Sequence, residues 1–420
     1  MNFFYLLFFL LFSISCSKDK DDLVDLNSFL SQGKKIELTT ESNLDQKDIL
    51  NLKSLKLKKN INYKNWTQSN YNSNNLIFQS GVNLQKKINS ISGKFQKMLF
   101  YKNKIFVIDD KSKIQVFDQN LKKIISKKIY NRKIYKKYNL KFDIAINQNI
   151  LLISDNLGNI QALNSSSLKK IWSLELKVPF RSNIKIYDNK IFIMNTNSKI
   201  FSINLKKGDI NWSFETTSKS LKHSNSYQIS IFADKLFFTN DSAEIFCIDL
   251  KTRNVIWTLV FSSENFKKSP IIFKSSPIII DQNNNLFVST NYGFLYSINS
   301  NNGFLNWSKP LKSNNNLILT EKYIFSSSSD RIKILNKETG DILFNKNISI
   351  LYNKNKNFSL EKIHIGKSNI YLFSQDGTIG LIKISNLNSI KFLKPAKNFK
   401  DFIVANEHLY LLTLNSIIKF

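Results

Sequence analysis

One block of sequence, repeated along most of the chain, limits the possible folds more than any single residue does. It is clearest at residues 190–214, KIFIMNTNSKIFSINLKKGDINWSF. Three apolar, β-branched and aromatic runs are separated by the polar turns Asn195-Thr196-Asn197-Ser198 and Lys206-Lys207-Gly208-Asp209. Short runs of this kind bounded by Asn, Ser, Gly and Asp read as hairpins. Related blocks start their middle strand at Ile105, Leu151, Ile191, Leu236, Leu286, Tyr323, Ile370 and Leu409. A unit of roughly 40–50 residues with four short strands is the period of a β-propeller. No useful length of sequence carries the 3.6-residue period that a helical solenoid of the same repeat length requires. The sequence therefore predicts an all-β chain, an eight-bladed β-propeller of four-stranded antiparallel blades.

Each block closes in a fixed frame: a small residue, Asn or Asp two on, often Gly six on, and Trp ten on. Ser202, Asn204, Gly208 and Trp212 fit it, as do Ser297, Asn299, Gly303 and Trp307. Ala162, Asn164 and Trp172 fit without the Gly, and Cys247, Asp249, Thr252 and Trp257 carry Arg253 in its place. Asn336, Thr339 and Gly340 end in Phe344 instead of Trp. The Asn or Asp opens a turn by bonding its own backbone, and Gly supplies a positive φ. The Trp is expected to start the outer strand and fill the gap between neighbouring blades. The small residue is expected on a crowded strand near the axis. No Trp-Asp pair or Gly-His start of the WD40 kind is present.

The two ends of the chain complete the picture. Residues 1–12, MNFFYLLFFLLF, are apolar and too short to span a bilayer. Followed by Ser13-Ile14-Ser15-Cys16, they read as an export signal ending in a lipobox, with Cys16 the acylated residue. Residues 1–15 are then the signal peptide, 16–60 a lipidated Cys and tether, and 61–420 the propeller. The last block offers only three strands, at 402–405, 409–412 and 417–420, so the eighth blade lacks its outer strand. A spare strand near 84–88 is expected to supply it and close the ring, which removes the open sheet edges.

The formal net charge of +30 would suggest nucleic acid in other settings. Here the lysines are spread over almost every turn among Asn and Ile, with no Arg-rich cluster or stacking aromatic patch. They read as a solvated basic surface, with no nucleic-acid partner. With Cys16 acylated, Cys247 is left alone in a small-residue slot, an inert buried thiol. His223, His364 and His408 fall in different blocks without paired spacing, so no metal site is expected. No nucleophile elbow, phosphate loop or H-E-x-x-H occurs. The chain is therefore read as a non-enzyme without a cofactor.

The block frame resembles the quinoprotein-type (PQQ-like) repeat, A-x-D-x-x-T-G-x-x-x-W. Dehydrogenases with this repeat hold a quinone and calcium on the axis under an adjacent Cys-Cys pair, and this sequence has no such pair. With the lipobox, the repeat and the absent chemistry together, the chain resembles the BamB family in its α-proteobacterial form. Asn65-Trp66-Thr67-Gln68 is similar to that family's N-W-P-Q segment. Residues 241–245 are similar to its S-S-G-E-L hairpin, and 404–410 to its closing V-A-N-G-x-L-Y. The resemblance implies a lipoprotein scaffold at the periplasmic face of the outer membrane. Its implied partners are a BamA-like barrel-inserting subunit and nascent outer-membrane proteins. It also implies that an Arg in a loop between consecutive blades makes the contact; Arg181, with Phe180 as its apolar neighbour, occupies the matching linker. The acidic half of that contact would fall at 221–225, which carries no carboxylate. The alternatives are a PQQ-dependent dehydrogenase-like enzyme and a general periplasmic binding propeller.

Overall fold

The computed structural model describes residues 34–36, 48–57, 61–84, 86–130, 138–217, 227–261, 273–311, 317–352 and 358–420. Residues 1–15, Cys16 and 221–225 lie outside these. Eight antiparallel sheets form the ring, each with four consecutive strands in chain order apart from the last. We number the blades from 1 (95–128) through 2 (142–175), 3 (185–215), 4 (229–261), 5 (279–310), 6 (318–347) and 7 (360–393) to 8 (399–419). First strands touch the first strands of neighbouring blades and so line the axis. Second strands are almost wholly buried, as in Lys190–Met194 and Lys235–Thr239. Outermost strands alternate between half-buried and exposed, as in Lys170–Glu175 and Ile210–Glu215. The burial gradient follows from the architecture: inner and middle strands are covered by blades on both sides, whereas the outer edge faces water.

The ring closes as the sequence predicts. Blade 8 contributes Phe399–Ala405, His408–Thr413 and Ser416–Lys419, and the N-terminal strand Asn89–Ser92 pairs antiparallel with Ser416–Lys419. The closing strand lies a few residues beyond the expected 84–88. The chain also meets the propeller earlier than a tether ending at residue 60 would. Lys34–Ile36 runs parallel to the outer strand of blade 4, and Ile49–Leu50 pairs with that of blade 6. Asp48 forms an ion pair with Arg331, and the Leu55 N–H donates to the Ile384 carbonyl of blade 7.

The repeated frame does its work between blades. Asn204 Oδ1 accepts from the N–H groups of Lys206 and Lys207, and Asp249 Oδ1 from those of Lys251 and Thr252. The Gly slot is left-handed throughout: φ is 82° at Gly208, 73° at Gly303 and 74° at Gly340. Arg253 holds 65° and Leu168 55° in the same slot, a cost those blades carry. The Trp of one blade lies over this turn of the next, with Trp172 Nε1 donating to Leu205 O at 3.0 Å and Trp257 Nε1 to Ser300 O at 3.1 Å. The small residue is not near the axis. Ala162, Ser202, Cys247 and Ser297 sit on third strands directly opposite Trp172, Trp212, Trp257 and Trp307, so it is the indole that crowds them. A Cβ on Gly208 would lie 2.6 Å from the Trp172 ring. Gly208→Ala therefore combines a left-handed φ with an overlap and is expected to destabilise the fold by about 2 kcal/mol, read as a lower urea midpoint at unchanged slope.

Candidate functional site

In a four-stranded meander the first-to-second and third-to-fourth turns emerge at one end of the ring. The second-to-third turns and the linkers between blades emerge at the other. We call these the turn face and the linker face. They differ because residues 61–82 cross the axis near the turn face and bond to the first strands of most blades.

The crossing begins at the N-W-T-Q segment. Trp66 exchanges two backbone hydrogen bonds with Phe100 of blade 1. Thr67 O accepts from Ile146 N of blade 2, and Gln68 Oε1 accepts from Ile186 N of blade 3 at 2.9 Å. Ser73 O accepts from Ile231 N of blade 4. Asn75 Nδ2 donates to Ile229 O of blade 4 and to Ile278 O beside blade 5, each at 2.9 Å. Leu76 packs with Leu317 and Leu319 at blade 6. Ser80 N donates to Ile365 O of blade 7, and Tyr63 O accepts from Asn406 N at the inner turn of blade 8. The turn end of the axis is thus filled by the chain itself.

Two buried titratable groups fasten this segment. Lys185, 2% exposed, donates to Ser69 O at 2.7 Å, Asn72 O at 2.8 Å and Asn75 Oδ1 at 2.6 Å. Burial pushes its ammonium down to about 7, although three acceptors match its three protons. The Ser80 hydroxyl lies 2.7 Å from Nε2 of His364, a fully buried ring whose burial pushes it down to about 3. The pair resembles a nucleophile and base in distance only. It is sealed from solvent, and His364 Nδ1 has no partner among the described residues to orient it. His408 belongs to a different blade, and His223 lies outside the described residues.

Between this plug and the linker face lies a chamber of about 330 Å³. Trp66, Gln68, Ser69 and Asn70 line its plug side, and Lys97, Lys362 and Asp401 its wall. Lys97 Nζ is 3.5 Å from Asp143, and Lys362 Nζ 2.6 Å from Asp401. Among the described residues no three His, Cys, Asp or Glu converge as a metal site would require. The axial donors are lysine–aspartate pairs, which do not fit a calcium–quinone site.

Arg181 stands on the linker face between blades 2 and 3. Its backbone N–H donates to Met194 O and its carbonyl accepts from Tyr227 N, which fixes the loop. The guanidinium lies over the Tyr227 ring, with Cζ 5.5 Å from the centroid, and Nη1 is buried without a hydrogen-bond partner among the described residues. Tyr227 OH and Asp241 Oδ1 both contact Ser198 Oγ, at 3.2 and 3.3 Å. Phe180 is 8% exposed and packs inward with Ile184, Ile191 and Phe201. Of the two residues singled out in sequence, Arg181 faces outward in part and Phe180 builds the seam between blades. Lys185, Asn75 and the charged wall of the chamber were not found by sequence reasoning, because their partners lie far away in the chain.

The ring, its repeat frame and its self-filled axis define an eight-bladed propeller of the quinoprotein-repeat class. The family model described as outer membrane protein assembly factor BamB matches residues 110–346, more than half of the chain. The chain belongs to the BamB family. No curated protein sequence matches it. The crystal structure of BamB from Moraxella catarrhalis is similar over 80% of this chain and 100% of its own, with TM-score 0.63 and 15% identity. The computationally designed protein Ika8 is similar over 80% and 98%, with TM-score 0.60 and 10% identity. A europium-containing methanol dehydrogenase is similar over 83% and 89%, with TM-score 0.63 and 9% identity. At these identities the structural likeness speaks of the fold alone.

Proposed function

We propose that this chain is a non-catalytic scaffold of outer-membrane β-barrel assembly, anchored through Cys16 at the periplasmic face of the outer membrane. It binds the barrel-inserting subunit through the linker face around Arg181 and helps to hold nascent outer-membrane strands. The family match carries this reading. The lysine–aspartate donors on the axis support the absence of quinone chemistry, and the place of the half-buried Arg181 in the linker between blades 2 and 3 supports the contact. Arg181 can pair bidentately with a carboxylate on the partner. Its position over Tyr227 limits the side-chain entropy lost on binding.

A mild-detergent pull-down of the tagged chain from its native envelope tests both parts. The barrel-inserting subunit is expected to co-purify, and Arg181→Glu to reduce its recovery by about tenfold with an unchanged melting curve. The mass of the purified chain is expected to be that of a protein starting at acylated Cys16. Full recovery with the Glu variant would reject the Arg181 contact, and a mass retaining residues 1–15 would reject the anchor.

A further inference from the structure

The inner strands around the axial chamber carry a pattern that the scaffold role does not use, with Asp143 just behind the lining and the other six positions in it. One position in or just before the inner strand recurs in seven blades, four residues ahead of the last residue before the inner hairpin. It is Lys97 before Tyr101, Asp143 before Asn147, Asn183 before Tyr187, Gln228 before Phe232, Pro277 before Asp281, Lys362 before Gly366 and Asp401 before Ala405. On four consecutive blades, 7, 8, 1 and 2, the position is charged and alternates Lys, Asp, Lys, Asp. On blades 3, 4 and 5 it is uncharged.

Three of the charged residues directly follow a break in strand register. The inner strands of blades 7, 8 and 1 break register between Leu360 and Lys362, Phe399 and Asp401, and Phe95 and Lys97. The inner strands of blades 2 to 6 pair without such a break. A bulge sacrifices ladder bonds and redirects a side chain, and bulges recur beside functional sites. Here Lys362, Asp401 and Lys97 each directly follow such a break, and all three line one cavity.

The hydrogen bonding leaves donors facing that cavity. Asp143, 9% exposed in its side chain, is already engaged by Ser69 Oγ at 2.9 Å and Ile184 N at 2.7 Å, and Lys97 reaches it only at 3.5 Å. Lys362 gives one proton to Asp401 Oδ1, which also accepts from Phe402 N. Each ammonium has three protons to donate, so both lysines keep N–H groups for a ligand. Against the cost of burial, Asp143 and Asp401 hold the Lys97 ammonium above the ordinary lysine range, so it stays charged. The rest of the lining includes Trp66, Met98, Ile318 and Phe402. The volume is at the lower end of that of small-molecule sites, about 300 Å³ and upward.

We propose that this chamber binds a carboxylate carried on an apolar body, with Lys97 and Lys362 holding the carboxylate and Trp66, Met98, Ile318 and Phe402 the body. Two sources present this chemistry at the linker face: a free aliphatic carboxylate, or the C-terminal end of a polypeptide. The proposal is independent of the partner contact at Arg181, because its readout is binding to the purified chain without that partner.

Calorimetry on the full chain tests it with three probes: octanoate, an apolar pentapeptide with a free C-terminus, and the same peptide amidated. Octanoate or the free-acid peptide is expected to bind and the amide is not. The Lys97→Gln/Lys362→Gln pair should weaken binding by at least about tenfold. Asn183→Trp, which fills the chamber from its uncharged side and leaves both lysines in place, should abolish it. Binding of octanoate but not the peptide assigns the site to free carboxylates, and the reverse assigns it to chain ends. No binding of either acid overturns the proposal, as does equal binding of acid and amide. If the double lysine variant does not fold, the acid–amide comparison and Asn183→Trp still decide.

Discussion

Asn75→Ala is expected to lower the stability of the fold by about 3–5 kcal/mol, the range for breaking a buried charged contact from one side. Asn75 is 2% exposed and uses both ends of its amide. Its nitrogen holds the carbonyls of Ile229 and Ile278, and its oxygen accepts from Lys185 at 2.6 Å. Alanine would strand two carbonyls and remove one of three acceptors from a buried ammonium. Urea unfolding of Asn75→Ala, Lys185→Met and the double variant forms a cycle in which the two losses should not add. Hydrogen exchange of the Ile146, Ile186, Ile231 and Ser80 amides, all bonded across to or from the plug, should speed up in each variant. A change below about 1 kcal/mol would mean that the plug contributes little. The pH dependence gives an independent check. Lys185 ionises near 7 in the folded chain and near 10.5 when unfolded, so between those values only the unfolded chain carries the proton. Stability contributed by this residue should therefore rise as pH rises from 7 to 10.5, and Lys185→Met should lack that rise.

The second large effect is expected in acid. His364 is held neutral down to about pH 3 by burial, whereas an unfolded histidine takes up its proton near 6.5. As pH falls through that window the unfolded chain binds a proton that the folded chain excludes, so stability is lost on the acid side. The loss from this one residue should reach about 4 kcal/mol by pH 3.5. His364→Gln keeps a polar partner near Ser80 and cannot charge there. It should cost stability at pH 7 yet narrow its deficit against the wild type as pH falls toward 3.5. Parallel stability–pH curves for the two proteins would show that His364 is not the group responsible.

What the sequence made legible is what is local. The Asn204–Gly208–Trp212 frame repeats because an Asx turn, a positive φ and an indole each act within a few residues, and their spacing survives as a pattern. Ring closure was readable for a similar reason: a missing fourth strand can be counted. The hairpin at 241–245 was also recognisable, with Ala243 taking a φ of 63° at the Gly position of the S-S-G-E-L pattern it resembles. The plug left no such trace. Asn70, Asn72, Asn74 and Asn75 look like one more polar tract in a chain rich in asparagine. Asn74 and Asn75 hold carbonyls 154 to 206 residues away, and the side chains of Asn70 and Asn72 brace that stretch from within. His364 seemed isolated because its partner, Ser80, lies 284 residues earlier. Phe180 was paired with Arg181 as neighbours in a linker, but the turn of the backbone there sends one side chain into the seam and leaves the other partly outside. The small residue of the frame faces the Trp ten residues on, across the strand pair and away from the axis, a pairing that spacing alone does not reveal.

The strand that completes blade 8 has a bearing on how the protein comes into being. Asn89–Ser92 precedes all eight blades, yet its partner Ser416–Lys419 follows every other strand of the ring. Threading of the axis likewise awaits blades not yet translated. Contacts so distant in sequence slow the search for the native state. An emerging chain keeps Asn89–Ser92 without its partner, and so prone to aggregate, until Ser416–Lys419 arrives. One late, concerted closure suits such a molecule. Loss of the final four-residue strand should leave a ring that never locks.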